Sequence, residues 1–235
     1  MAPIDCAMFS DGERLIMSPV ASSQMDQSFA TLRRFARPRV PTERCELCSA
    51  TLAHEHPHLL ELASRQITCA CDACSTLFDG MTGGKYKRVS RRTWLLADFQ
   101  ISDGEWEELL IPINMAFFFY SSVHNRMVTL YPSPAGAVES LLPLEAWNEI
   151  VNSNPALRKL EPDIEALLVN RVGHAHGSAP PEYFVAPIDD CYRLVGLIRT
   201  HWKGLSGGNE VWEEIAGFFF ALRERADIVT GEAHA

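Results

Sequence analysis

Hydrophobic residues in the C-terminal two thirds of the chain follow strand-like and helix-like spacings in turn. Residues 111–120 form one of the most apolar stretches of the chain and include three consecutive phenylalanines, which predicts a strand buried on both faces. Residues 127–131 follow after a polar turn at 124–126, so we expect a β-hairpin. Residues 137–151 carry apolar side chains at helical spacing, and the proline that follows at position 155 ends the predicted helix.

The same pattern continues to the end of the sequence. Two further apolar segments predict strands, at residues 164–172 and 183–187. One helix is expected to begin at Asp189 or Asp190 and another near Asn209, while Ser102 or Asp103 caps a short helix further upstream. These elements predict a mixed α+β domain with an antiparallel, hairpin-containing sheet.

The N-terminal part of the chain differs in composition from the rest. Residues 22–37 have the spacing of an amphipathic helix, and the residues before them are irregular. Five of the seven cysteines fall between positions 45 and 74. We therefore divide the chain into an N-terminal arm and helix (residues 1–40), a cysteine-rich segment (residues 41–84) and the α+β domain (residues 85–235).

Four cysteines of this segment have the spacing of a metal site. Cys45 and Cys48 form one Cys-x-x-Cys pair, and Cys71 and Cys74 form a second after 22 intervening residues. Each pair on a tight turn brings two sulfurs to one side, so two opposed turns supply four thiolates around one ion. Residues 58–62 and 66–70 are the expected arms of a hairpin between the turns. The segment is thus predicted to be a zinc-ribbon or rubredoxin-like module that binds metal through these four sulfurs.

Other residues compete for places around the ion. Cys69 lies two positions before Cys71, so either of them could supply the third sulfur. His54, His56 and His58 follow the first pair, and any one of them is an alternative ligand. Cys6 and Cys191 stand alone and are not expected to ligate. No arrangement of residues along the chain indicates a catalytic site.

Zinc is the expected occupant, because it favours closed tetrahedral sulfur sites and needs no redox partner. Iron in the same cage would make an electron carrier. The additional Cys69 also keeps an iron–sulfur cluster open as an alternative.

The charge of the chain limits the classes of partner that it is expected to bind. The net charge is −9, and affinity for phosphate backbones requires a cationic surface, so we expect no nucleic-acid partner. One basic run, residues 85–92, could steer an acidic partner. The N-terminus lacks the pattern of a secretory signal, and the apolar runs are too short to insert into a membrane, so we expect a cytoplasmic protein with reduced cysteines.

Several strings of the sequence resemble an uncharacterised bacterial family, the domain of unknown function 5947. The similarity extends over roughly residues 40–226 and includes the strings CELC, HLLEL, CACDAC, YPSPAGAVESLLPLEAW and PIDDCYRLVGLIRTHWKGLSGG. Genes of this family often accompany those of nickel–iron hydrogenases and their maturation factors. The resemblance implies a cysteine module fused to an α+β domain, with cysteines at the family's positions in Cys45, Cys48, Cys69, Cys71 and Cys74.

The expected function is that of a zinc-binding accessory or assembly protein that is not an enzyme. It would act by docking on a protein partner, which the resemblance suggests is a hydrogenase subunit or maturation factor. One alternative is an electron-transfer module with rubredoxin-like iron or an iron–sulfur cluster. A second alternative is an enzyme with an unrecognised site in the C-terminal domain.

Overall fold

The structure is a computed structural model, and it describes residues 43–79, 84–141, 144–174 and 179–230. The arm and helix predicted for residues 1–40, together with Cys6, lie outside the described residues. The N-terminal part of the described chain, residues 43–79 and 84–88, contains a small antiparallel sheet with strand order β2–β1–β3 and one short helix. Its elements are β1 (His58–Glu61), β2 (Gln66–Cys69), α1 (Asp72–Phe78) and β3 (Tyr86–Arg88).

A seven-stranded sheet forms the centre of the rest of the molecule. Its strand order is β10–β4–β9–β8–β5–β6–β7, and all neighbours are antiparallel except β10 and β4. The strands are β4 (Trp94–Leu96), β5 (Met115–Ser121), β6 (Arg126–Ser133), β7 (Gly136–Ser140), β8 (Glu165–Asn170), β9 (Glu182–Pro187) and β10 (Asp227–Val229).

Helices cover both faces of the large sheet. They are α2 (Asp103–Glu108), α3 (Leu144–Ser153), a 3-10 turn (Pro155–Lys159), α4 (Ile188–His201) and α5 (Gly208–Arg225). Ser102 caps α2, since its hydroxyl accepts the Glu105 N–H while the Glu105 carboxylate accepts the Ser102 N–H. No helix among the described residues is long and apolar enough to cross a membrane.

The phenylalanines of β5 show why this strand is apolar throughout. Because neighbouring side chains of a strand point to opposite faces, Phe117 and Phe119 join the core beneath α4 and α5. Phe118 points to the other face, where its ring stacks on Trp147 of α3 with centroids 5.0 Å apart. The sheet is therefore the middle layer of three, and β5 is buried from both sides.

The predicted fold class is confirmed as mixed α+β with antiparallel sheets, and the predicted β5–β6 hairpin is present. The helix predicted for residues 137–151 is wrong in its first part. Residues 136–140 form the edge strand β7, and α3 begins only at Leu144. β7 is an edge strand of five residues and is half exposed, so its alternating pattern is short. In the sequence this pattern was assigned to the apolar face of the helix that follows.

The small sheet packs on the large domain. Leu60 of β1 and Ile67 of β2 belong to the same hydrophobic core as Phe117 and the inner residues of α4 and α5. Two polar contacts reinforce this packing: His58 Nδ1 lies 2.7 Å from Asp189 Oδ2 at the start of α4, and Lys87 Nζ donates to the Pro162 carbonyl at 2.7 Å. The apolar and polar contacts together fix the position of the small sheet against the large domain.

Candidate metal centre

The first Cys-x-x-Cys pair lies on a tight turn. The Ser49 N–H donates to the Cys45 carbonyl at 2.7 Å, and the Cys45 N–H donates to the Ala50 carbonyl at 2.8 Å. Ser49 adopts a left-handed backbone conformation with φ of 65°, which reverses the chain directly after Cys48. We call residues 45–48 the first knuckle.

The second pair lies at the start of a helix. Cys71 is the N-cap residue of α1, and its sulfur accepts the backbone N–H of Cys74 at 3.5 Å. One helical turn therefore sets the two sulfurs of this second knuckle, residues 71–74, on the same side of the helix start. The backbone ties the two knuckles together, since the Glu46 N–H donates to the carbonyl of Cys69 at 3.0 Å.

The two knuckles bring four sulfurs together. The Sγ atoms of Cys45, Cys48, Cys71 and Cys74 all lie within 4.8 Å of one another, and those of Cys48 and Cys71 are 3.7 Å apart. A tetrahedral ion with metal–sulfur bonds of about 2.3 Å requires sulfurs about 3.8 Å apart. The cluster has the chemistry and the dimensions to hold a metal ion.

The environment of the cluster favours ionisation at one cysteine. Burial opposes ionisation of Cys45, but the N–H groups of Cys71, Cys48 and Leu47 outweigh it and lower the pKa of Cys45 to about 6. Burial raises the pKa of Cys74 to about 12, and the neighbouring sulfurs, including the Cys45 thiolate, contribute to that rise. A divalent cation that binds all four sulfurs must therefore displace the Cys74 proton.

Few apolar side chains support this part of the molecule. Among the described residues, those buried around the knuckles form a small cluster of Cys45, Leu52, Leu59, Cys69 and Ala70, with Leu47, Phe78 and Tyr86 partly buried against it. Burial of so little apolar surface stabilises a fold weakly, so a bound ion would supply much of the stability of the two knuckles.

Three of the alternative ligands lie together in a second place, and His54 is exposed and belongs to neither group. Cys69, His56 and His58 have ligand atoms within 4.8 Å of one another, and none of the three belongs to the group of four cysteines. Cys69 is disulfide-bonded, so the expectation of reduced cysteines is wrong for this residue. His58 also has a partner that no sequence motif indicated, the carboxylate of Asp189, 131 positions away. Asp189 and Asp190 were expected to cap α4, but the N-cap residue is Pro187 and it makes no side-chain cap.

Most of the basic run at residues 85–92 is neutralised within the molecule. Lys85 pairs with Glu61 at 2.7 Å, Lys87 lies 3.5 Å from Glu161, and Arg92 pairs with Glu165. The local charge of this segment is therefore much smaller than its sequence indicates, and so is its capacity to steer an acidic partner.

Comparison with known proteins gives one match. Residues 44–226 match the model of a family of unknown function, DUF5947. No curated protein and no solved structure shows significant similarity to the chain. The matched region begins just before the first knuckle and ends after α5.

Proposed function

The chain belongs to the family of unknown function DUF5947, and we propose that within it the two knuckles bind a structural zinc ion and present a docking surface to a protein partner. One observation carries the metal part of the proposal: the sulfurs of Cys45, Cys48, Cys71 and Cys74 lie within 4.8 Å of one another. Four thiolates satisfy the tetrahedral preference of zinc and leave no coordination position for a substrate. In this proposal the module is a zinc ribbon.

The proposal includes a cytoplasmic location. A reducing compartment keeps the thiols of the knuckles available to a metal ion. The small size of the apolar cluster around Cys45 supports a structural role for the ion, because binding free energy is there folding free energy.

Metal content tests the site. The full chain is purified without oxygen, and zinc is measured by mass spectrometry together with the visible absorption spectrum. We expect zinc without a visible band, and one equivalent less metal in Cys48→Ser than in the wild type. Cys191→Ala is the matched control, since Cys191 is buried in α4 away from both knuckles and its loss should leave the metal content unchanged. Unchanged metal content in both Cys48→Ser and Cys71→Ser would refute the assignment.

Electron transfer is the second candidate, and the exposure of Cys48 favours it. An iron ion in a cage of four cysteines exchanges electrons through a sulfur that reaches the surface, and Cys48 is the exposed member of the cluster. The same purification separates the candidates. Stoichiometric iron with a sulfur-to-iron charge-transfer band would replace the zinc proposal by the redox one.

An exposed leucine beside the second knuckle supports the docking part of the proposal. Leu77 of α1 is 65% exposed, three positions after Cys74. A nickel–iron hydrogenase subunit or maturation factor is the proposed partner, and the gene association implied by the family resemblance is its support.

The docking proposal is tested by co-purification with hydrogenase subunits. Leu77→Asp should lose the partner while retaining metal, and Thr76→Asp, which introduces the same charge at the neighbouring exposed position, should retain both. If the wild-type protein recovers no hydrogenase component, and deletion of its gene leaves hydrogenase activity intact, the partner is wrong.

A further inference from the structure

Two histidines and a cysteine meet at the junction between the small sheet and the large domain. One ring nitrogen of His56, one of His58 and the Cys69 sulfur lie within 4.8 Å of one another. The two imidazole rings stand at 84° to each other with centroids 5.0 Å apart. Imidazole nitrogen and cysteine sulfur together are typical ligands of zinc and related transition metals.

Strand geometry explains the meeting. His56 lies two positions before His58, and the two rings contact each other edge to face. His58 and Cys69 are direct partners in the antiparallel pairing of β1 and β2, and side chains of directly opposed residues lie next to each other on one face. The register of the hairpin therefore places Cys69 beside His58, and the ring contact adds His56 to the group.

Hydrogen bonds orient both rings. His56 Nδ1 lies 2.9 Å from the Ala53 carbonyl oxygen, which can only accept, so Nδ1 carries the proton. The Glu43 carboxylate lies 3.5 Å from the same nitrogen. His58 Nδ1 donates in the same way to Asp189 Oδ2 at 2.7 Å. In each neutral ring the lone pair is thus on Nε2.

Both Nε2 atoms are buried and make no hydrogen bond to any described residue. The side chain of His56 is 5% exposed and that of His58 is 8% exposed. A buried polar atom without a hydrogen-bond partner destabilises the fold, and this site holds two of them. A metal ion that accepts both lone pairs would give both Nε2 atoms a partner.

We propose that His56, His58 and Cys69 form a second metal site, distinct from the four-cysteine centre, for zinc or a similar divalent transition metal. Asp189 is its positioning residue, since ligating histidines commonly donate their other N–H to a carboxylate. Three ligands leave one position of a tetrahedral zinc ion. That position takes a water molecule.

Occupation of the site requires reduction, because the structure records Cys69 as disulfide-bonded. A phosphine reductant takes the oxygen of one water molecule to become the phosphine oxide, and the two electrons and two protons convert the disulfide to two thiols. The Cys69 thiol then releases its proton to the buffer as its sulfur binds the metal. The proposal therefore links this site to the redox state of the protein.

The test is a zinc titration of the full chain kept reduced with a phosphine. The wild type should bind two equivalents and His56→Gln one, while His54→Gln should bind two, because His54 lies on the same segment but is exposed. Asp189→Asn should weaken the second equivalent by about 10–100-fold. Without the phosphine the wild type should bind only one equivalent.

Imidazole nitrogen NMR of the wild type provides a measurement that no folding defect can affect. Binding of the second equivalent should shift the Nε2 signals of His56 and His58 and leave His54 unchanged. If these signals do not move, or if His56→Gln still binds two equivalents, the second site is refuted. A wild type that binds a single equivalent, lost in Cys48→Ser and kept in His56→Gln, would refute this site while supporting the four-cysteine centre. The reverse pattern would refute the four-cysteine centre alone.

Discussion

Glu165 is a buried charge whose removal should destabilise the protein strongly. Its side chain is 1% exposed at the start of β8. The carboxylate accepts hydrogen bonds from Ser90 Oγ at 2.8 Å, Arg92 Nε at 2.9 Å and the Glu161 N–H at 3.0 Å, and it makes a further contact with the Arg92 guanidinium. Ser90 and Arg92 belong to the connection between β3 and β4, so this carboxylate attaches that connection to the large sheet.

Glu165→Ala removes all these interactions at once. Breaking a buried ion pair by removing one partner costs about 3–5 kcal/mol, because the remaining groups lose their acceptor. The Arg92 guanidinium is 36% exposed and can regain some hydration, which favours the lower part of this range. In a chain of this size each kcal/mol lowers the melting temperature by about 2–4 °C, so we expect a decrease of about 6–20 °C.

The assay is thermal denaturation of the metal-loaded protein, followed by tryptophan fluorescence and circular dichroism. Glu210→Ala is the matched control, since Glu210 also pairs with two basic side chains, His201 and Lys203, but in an exposed position. Its loss should leave the midpoint almost unchanged. If Glu165→Ala costs no more than Glu210→Ala, the reasoning that burial gives this ion pair its importance is refuted.

Three further predictions concern the metal centre and the core. Metal affinity of the four-cysteine centre should rise with pH, since the Cys74 pKa of about 12 means that metal binding displaces a proton. The rise should be steeper below about pH 6, where Cys45 is protonated too. Calorimetry in buffers of different ionisation enthalpy measures the number of protons displaced. Ser102→Ala should cost about 1 kcal/mol in urea denaturation, because it removes the cap of α2. Phe118→Ala should cost about 3–5 kcal/mol and weaken the near-ultraviolet dichroism of Trp147, on which Phe118 stacks.

Each of these predictions has an outcome that contradicts it. An affinity independent of pH between 5 and 8 would mean that the sulfurs meet the metal already ionised. A Ser102→Ala protein as stable as the wild type would show that the α2 cap contributes nothing. Unchanged aromatic dichroism in Phe118→Ala would show that the ring stack does not hold Trp147.

The sequence predicted much of the architecture because local patterns carry it. The contiguous phenylalanines indicated a strand between two layers, and the spacing of Cys45, Cys48, Cys71 and Cys74 indicated the four sulfurs that the structure brings together. Both features depend on residues close in the chain, where periodicity and turn geometry decide the outcome.

Features that depend on strand register or on contacts between distant residues could not be predicted from the sequence. From the sequence, Cys69, His56 and His58 were alternative ligands of the same ion as the four cysteines. The pairing of β1 with β2 decides on which face of the hairpin His58 and Cys69 lie, and the sequence does not show this register. Asp189 lies 131 positions from His58, and no local pattern connects them. The strand β7 was missed because an edge strand of five residues gives a weak period next to a helix.

The separation of His58 and Asp189 has a consequence for biosynthesis. Both knuckles and the hairpin between them have left the ribosome when residue 89 has emerged, whereas Asp189 is added 131 residues after His58. At a synthesis rate of about 5–20 residues per second, the carboxylate follows about 7–26 s behind its histidine. The order of translation thus allows the four-cysteine cluster to bind the proposed ion on the nascent chain, while His58 gains its contact with Asp189 only after residue 189 has been added.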